Sequence, residues 1–307
     1  MGAGHGHGHS HGTVIGTHRN RLFGVLAITV SIMVAEVIGG LISGSLALLA
    51  DAGHMLTDGA GVGLALLAAT FAARPATPQR TFGYMRFEIL AAVINAMLLF
   101  GVAGYVLIEA VQRFREPPEL STGVMLTVAT VGLVANAGSL LMLRGGQQAS
   151  LNMRGAYLEV LGDLLGSAAV IVAAIVIALT GFTQADAIAS AAIGLMILPR
   201  TWALLREAVD VLLEATPKGV DLTEVRQHIT QTPGVLDVHD LHAWTITSGL
   251  PVLSAHIIIT EDTLADGGGG QVLDQLSQCL AGHFDVEHCT FQLEAPGHRE
   301  HELSHHA

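Results

Sequence analysis

The residues best equipped for chemistry in this chain lie where charge is expensive. One strongly apolar stretch contains Asp51-Ala52-Gly53-His54-Met55-Leu56-Thr57-Asp58, and another contains Glu159-Val160-Leu161-Gly162-Asp163. If both are helical, residues 51, 54 and 58 follow i, i+3, i+7 spacing and share one face, while 159 and 163 form an i, i+4 pair. A carboxylate at the centre of a bilayer costs about 2.5–3.5 kcal/mol on insertion scales, so those retained there are usually functional or paired. Brought face to face, the two helices offer His54, Asp58, Glu159 and Asp163. One imidazole and three carboxylates suit a divalent cation in tetrahedral coordination. His54 alone would serve equally as a hydrogen-bonded packing residue. The matching pair on a second helix favours ligation, because i, i+4 ligands on facing helices are an established way of building metal sites in bundles. Asp51 lies near the end of its stretch and is expected to cap the helix or face water.

These ligands need elements of bilayer length, and the composition supplies them. Apolar residues make up 51% of the 307 residues and charged residues 13%, against about 25% charged in a soluble domain. Mean hydropathy is +0.55. This excludes disorder, a coiled coil and a nucleic-acid binder resting on a basic surface. Six stretches are long and apolar enough to span: Leu22–Ile42, Leu46–Ala72, Phe87–Gln112, Thr122–Leu143, Gly155–Leu179 and Ala185–Leu205. Ser43-Gly44-Ser45 turns the chain, and Arg74-Pro75-Ala76-Thr77-Pro78 and Glu116-Pro117-Pro118 stop helices. Arg144-Gly145-Gly146 and Thr180-Gly181 end the fourth and fifth spans. Glu36 and Glu109 read as isolated polar residues, Asn95 as one that bonds between helices, and Gly59-Ala60-Gly61-Val62-Gly63 as small residues for close helix packing, since no strand precedes them.

Charge gives orientation and a boundary. Arg19, Arg21, Arg74, Arg80, Arg86, Arg144, Arg154, Arg200 and Arg206 fall on one side of the spans, leaving only Arg113 and Arg115 on the other. By the positive-inside rule both termini are cytoplasmic, with an inner plasma-membrane location expected. The net charge of -12 is uneven, with residues 1–206 carrying +1 and residues 207–307 carrying -13. The expected organisation is a His-rich N-terminal segment (1–18), a six-span domain (19–206), an acidic cytosolic domain (207–296) and a His-rich tail (297–307). Of 16 histidines, five precede residue 19, ten follow residue 227, and His54 alone lies between them.

In the acidic part, Asp221-Leu222-Thr223-Glu224 is a capping box opening a helix to about Gln231. Val235–Thr247 and Val252–Thr260 read as a hairpin around Ser248-Gly249, Gly267–Gly270 as a flexible loop, Gln271–His283 as an amphipathic helix and His288–Glu294 as a last strand. The order αββαβ is a small α+β domain with helices on one face of a sheet. His239 and His256 can meet across the hairpin and Glu294 can join them from the third strand, a candidate regulatory metal site. His239 and His242 should point to opposite faces. Cys279 and Cys289 fit neither a metal knuckle nor a disulfide framework and are expected to be reduced. His301-Glu302-Leu303-Ser304-His305 matches the zinc-protease signature but sits at the chain end without a cleft. The alternating His5-Gly6-His7-Gly8-His9-Ser10-His11 run is low complexity that collects metal weakly.

The chain resembles the cation diffusion facilitator family, in its bacterial zinc-exporting branch, over about residues 19–295. The matching segments are Gly44–Asp58, Thr81–Leu90, Tyr157–Asp163, Val238–His242 with Trp244, Ser254–His256 and Thr290–Glu294. The resemblance implies a homodimer of six-span protomers, each with a transport site between the second and fifth spans and a cytosolic domain of ferredoxin-like, copper-chaperone-like fold. It implies zinc or a related divalent cation as substrate, exchanged for protons across the lipid bilayer, with no prosthetic group and no nucleic-acid partner. His54, Asp58 and Asp163 match the family's transport ligands. His239, His256 and Glu294 match positions that hold regulatory zinc in some members. Glu159 departs from the pattern, standing where the zinc branch typically has histidine. A hard oxygen there should loosen zinc preference toward cobalt, cadmium or manganese. The second-to-third loop has no histidine, so no extra loop zinc site is expected. Competing functions are a channel or uptake carrier on the same scaffold, a membrane metalloprotease and a non-transporting metal sensor.

Overall fold

The computed structural model describes residues 11–144, 151–284, 286 and 288–301, with the side chains of 11–23, 151–153 and 155 outside that description. Six long helices come first: α1 (His11–Ser43), α2 (Leu46–Ala72), α3 (Phe87–Arg115), α4 (Thr122–Leu143), α5 (Leu151–Thr180) and α6 (Gln184–Leu212). All six are long and apolar enough to cross a membrane, and their surfaces are oily, as at Leu41, Leu141 and Leu179. α2 and α4 begin and end where the sequence predicts. α3 and α6 run further, to Arg115 and Leu212, because the apolar stretch ends before the helix does. Arg206, Glu207 and Asp210 continue α6 as ordinary polar helix, and Pro199 is accommodated inside it.

The chain divides into two compact units, Met1–Gly63 with Asn95–Ala203, and Leu64–Ile94 with Leu204–Ala307. The first unit has a core of small and medium side chains, among them Ala47, Ala129, Val170, Ala173 and Ile193. Small residues let helix backbones approach, which is how helices associate when lipid removes the hydrophobic drive between them. The turn from α1 to α2 is built from both sides. Gly44 adopts φ +73°, a conformation disfavoured for residues with a Cβ. Arg113, itself paired with Glu109 at 2.9 Å, donates to the Gly44 carbonyl. The start of α2 is held by a residue far along the chain. Asp186, buried at the beginning of α6, accepts from Ser45 Oγ at 2.6 Å, Leu46 N–H at 2.8 Å and Ala47 N–H at 3.3 Å. It caps a helix to which it does not belong.

The second unit contains α7 (Leu222–Thr230), β1 (Val235–Thr245), β2 (Pro251–Ile259), α8 (Glu261–Ala265), α9 (Gly269–Phe284) and β3 (His288–Glu294). Asp221 caps α7, accepting from the Thr223 N–H at 2.7 Å. β1 and β2 are antiparallel, β2 and β3 parallel, in the order β1-β2-β3. The parallel pair requires a crossover, and α9 supplies it. Along β2, Leu253, Ala255, Ile257 and Ile259 are buried against α7 and α9 residues such as Val225, Ile229, Leu276 and Leu280. Ser254, His256 and Ile258 alternate onto the other face. This is the α+β domain expected, with two differences. α8 is an added turn capped by Thr260. It buries nothing, so it leaves no hydrophobic period to read. Gly269 and Gly270 open α9, which shortens the expected loop. The same unit includes the segment between α2 and α3, where Arg86 pairs with Glu214 at 2.9 Å and Thr247 donates its hydroxyl to Glu88.

Candidate functional site

His54 and Asp58 lie on one face of α2, one turn apart. His54 Nε2 is 3.6 Å from Asp58 Oδ2, and the His54 side chain is 9% exposed. His54 Nδ1 is buried with no hydrogen-bond partner among the described residues. Thr57 donates to the His54 carbonyl at 2.8 Å, and one turn back to Gly53 at 3.1 Å, so its hydroxyl is used up by the backbone and does not compete for the ring.

On α5, Asp163 is buried at 5% exposure. Glu159 is more open and forms an ion pair with Arg200 of α6, Oε1 to Nη2 at 3.0 Å. The structure therefore brings His54 and Asp58 together and holds Glu159 on a cation. Among the described residues, no three of the quartet His54, Asp58, Glu159 and Asp163 offer ligand atoms all within 4.8 Å of one another. Arg200 was legible in the sequence only as an orienting charge. Its pairing depends on the packing of α5 against α6.

Three acids differ from their sequence expectation, the first being Glu109, which pairs with Arg113 at 2.9 Å instead of standing isolated. Asp51 neither faces water nor caps α2, being 1% exposed with Oδ2 unpartnered. The cap is Asp186 instead. Asp51 lies so close to α5 that a Cβ on Gly166 would come within 2.3 Å of Asp51 Oδ1. Glu36, expected to be isolated, is fully buried beside α4 and α5, with both carboxylate oxygens unpartnered among the described residues. A Cβ on Gly132 of α4 would lie 3.2 Å from both Glu36 Oε1 and Ser167 Oγ of α5. Asn136, Ser139 and Ser167 are also buried with unpartnered side-chain atoms. Buried polar groups normally find partners, so this polar cluster is an exception within an otherwise apolar interior. The signal for it was the coincidence of acids with Gly132 and Gly166, which becomes meaningful only once the helices are placed. Of the small residues expected to serve close packing, Gly61 does so, since a Cβ there would meet Asn95 Nδ2 at 2.6 Å, whereas Gly59 and Gly63 have nothing within 4 Å.

In the C-terminal domain His239 and His256 are register partners on β1 and β2, with ring centroids 5.1 Å apart. Glu294 of β3 spans them, Oε2 to His239 Nε2 at 2.9 Å and Oε1 to His256 Nδ1 at 2.8 Å. One ligand atom from each lies within 4.8 Å of the others. Burial by itself would raise the Glu294 carboxyl, but the hydrogen bond from His239 and the two imidazoles outweigh it and hold the group below the ordinary carboxylate range. Between His239 and His242 the register shifts and Asp240 takes φ +48°. This bulge turns Asp240 toward both His242 Nε2 (3.0 Å) and His256 Nε2 (3.8 Å). Glu302–His305 of the protease-like motif, and His5, His7 and His9, lie outside the described residues.

Six apolar helices followed by a small αββαβ domain define a multi-pass membrane protein with an appended metal-ligand-rich domain. The cation efflux transmembrane domain matches residues 22–213, and the cytoplasmic domain of cation efflux proteins matches residues 217–296. The chain belongs to the cation efflux family. A metal cation efflux system protein, CzcD, of Cupriavidus metallidurans is 49% identical over 294 residues, covering 96% of this chain and 90% of that protein. The zinc transporter ZitB of Escherichia coli is 42% identical over 276 residues, covering 89% and 87%. A Bacillus subtilis protein described as a cadmium, cobalt and zinc/H(+)-K(+) antiporter is 41% identical over 268 residues, covering 87% and 86%.

Proposed function

We propose that this chain exports divalent metal cations, zinc foremost, from the cytosol in exchange for protons. The supporting observation is the pairing of buried His54 with half-buried Asp58 on a membrane-length helix of a cation efflux domain. In this reading His54, Asp58 and Asp163 take the cation from the cytosolic side. Glu159 leaves Arg200 to complete the coordination, and a rearrangement of the helices opens the site outward, as in alternating access. Metal binds deprotonated ligands, so protons arriving from outside displace it and return inward, and exchange follows from linkage. Both termini are cytoplasmic on this reading, the spans lie in the plasma membrane, and the C-terminal domain dimerises. His239, His256 and Glu294 form a regulatory site that reports cytosolic metal. Three boundaries follow from the same reading: a terminal segment up to residue 18, the spans to residue 206 and the regulatory domain to residue 296.

Proteoliposome flux tests it. Zinc transport should follow an imposed pH gradient, fall when that gradient is collapsed, and drop to background in Asp58→Ala. Flux indifferent to the gradient would reject antiport and favour a channel, and wild-type flux in Asp58→Ala would reject the site. A broader substrate range is the second reading, favoured by the hard Glu159 ligand and by the cadmium and cobalt named for the Bacillus relative. Glu159→His should then narrow transport toward zinc.

A further inference from the structure

A cluster of ligand-type side chains lies away from both sites described above. His228 is on α7, and Cys279 and His283 are one turn apart on α9. Cys279 Sγ lies 3.4 Å from His228 Nδ1 and 3.6 Å from His283 Nδ1. One ligand atom from each of the three falls within 4.8 Å of the others. We propose that His228, Cys279 and His283 form a second metal site of the C-terminal domain, binding a borderline or soft divalent cation such as zinc, cobalt or cadmium.

The distances are those a metal would impose. Zinc–sulfur bonds of about 2.3 Å and zinc–nitrogen bonds of about 2.0–2.1 Å give a tetrahedral sulfur-to-nitrogen edge of about 3.6 Å. Both sulfur–nitrogen separations already match that edge. Three protein ligands leave the fourth position for water or an exchanging ligand, the pattern of an open rather than a closed site. The set is softer than the two imidazoles and carboxylate of His239, His256 and Glu294, because it includes a thiol. The two clusters also lie on different layers. His256 alternates with the core-facing Ala255 and Ile257 and so points away from the helices, whereas the new cluster joins α7 to α9.

Ordinary helix chemistry explains only part of this arrangement. His283 stands in the last turn of α9, and its Nδ1 lies 3.0 Å from the Cys279 carbonyl, a bond a neutral imidazole donates. A cation or donor near a helix C-terminus is favourable by itself. It does not account for a sulfur and a second imidazole, from another helix, converging on the same ring. His228 is further held edge-on to Phe284, with centroids 5.2 Å apart, so its ring is not free to wander. Loading through His283 Nδ1 exchanges its carbonyl bond for the metal and cross-links the two helices.

The test uses the full-length protein in detergent, titrated with cobalt(II). Thiolate coordination gives a sulfur-to-cobalt charge-transfer band in the near ultraviolet, and the chain has only two cysteines to supply it. Wild type and Cys289→Ser should show the band and Cys279→Ser should not. His228→Ala and His283→Ala should each weaken the cobalt affinity read from that band about tenfold or more, since even outer-shell partners are worth that much. No band in wild type, a band that survives in Cys279→Ser, or histidine variants that bind like wild type would each overturn the proposal. Cys279→Ser changes a single atom, and its elution as a monodisperse species in detergent verifies that it has folded. The readout does not involve flux, so failure of this site and failure of the transport reading are seen separately.

Discussion

Asp186 supplies the sharpest test of how the site-bearing helix is positioned. It is 2% exposed and accepts three hydrogen bonds at the start of α2, from Ser45 Oγ at 2.6 Å, Leu46 N–H at 2.8 Å and Ala47 N–H at 3.3 Å. Asp186→Ala removes all three bonds and leaves the buried Leu46 and Ala47 N–H groups without an acceptor at a helix start, where no intrahelical carbonyl serves them. Hydrogen bonds to a charged acceptor contribute about 1.5–3 kcal/mol, and loss of a helix cap costs about 0.5–2 kcal/mol. The three bonds share one carboxylate and do not add in full, so about 3 kcal/mol is expected for Asp186→Ala. Asp186→Asn keeps one oxygen but turns an NH2 toward donors and should lose about half as much. Ser45→Ala should cost less still, although Ser45 Oγ also receives the Leu48 N–H at 3.2 Å. Because Ser45 and Asp186 touch, the double variant should fall short of the sum of the singles by about 1 kcal/mol. Denaturant titration of the purified protein in detergent, followed by circular dichroism, gives these differences. A change within about 0.5 kcal/mol of wild type for Asp186→Ala would refute the idea that this carboxylate fixes α2 and, with it, the height of His54 and Asp58 in the bundle.

Other substitutions probe neighbouring features. Gly166→Ala places a Cβ within 2.3 Å of the buried Asp51 Oδ1 and should destabilise by about 1–3 kcal/mol. Gly162→Ala, on the same helix with nothing within 4 Å, should be neutral or stabilising by up to about 1 kcal/mol; equal thermal midpoints would show that the two helices do not approach as described. Glu294 titrates below its ordinary range in the folded protein, so the unfolded state binds more protons as pH falls through the carboxylate region. Its contribution is present above the unfolded value of about 4.3 and is lost on acidification. Glu294→Gln should therefore flatten the acid side of the stability profile, and an unchanged profile would contradict the His239–Glu294–His256 bridge. Arg200→Gln breaks an ion pair that is half exposed on both sides and should change stability by less than about 1 kcal/mol. On the proposed mechanism it should nevertheless alter the ranking of zinc, cobalt, cadmium and manganese in flux assays, because it frees Glu159.

What could be read directly from the residues follows from which constraints are local. The bilayer imposes an apolar length that no soluble fold requires, so six spans are visible as composition alone. Where a turn residue abuts the apolar stretch, as at Ser45, even the helix boundary is legible. Where a helix leaves the apolar slab and continues in polar sequence, as α6 does through Glu207 and Asp210, the boundary is invisible to a hydropathy argument. The meeting of His239 with His256 was legible because a hairpin fixes register at short range. The bulge at Asp240 was not, since nothing in Asp240-Leu241-His242 announces an extra residue. Asp186 lies about 140 residues from the backbone groups it caps, and no spacing rule connects them. His228 and Cys279, 51 residues apart on separate helices, were in the same position.

The contrast between His54 and Glu159 can now be argued from their partners as well as from their types. His54 is enclosed, with Nε2 3.6 Å from Asp58 Oδ2 and Nδ1 without a hydrogen-bond partner among the described residues. Glu159 sits beside Arg200 and is more open. A carboxylate on a guanidinium is already neutralised, and a metal must compete with that partner to recruit it. A histidine at residue 159 would not be drawn to Arg200 in this way. The substitution of oxygen for nitrogen thus brings with it a latch that imidazole could not form. If the latch governs access, Glu159→Gln and Arg200→Gln should shift the apparent metal affinity in opposite directions, the first by losing a ligand charge and the second by releasing it. Parallel shifts in the two variants would mean that the pair is only a surface ion pair, and that Glu159 influences selectivity, if at all, through its chemistry alone.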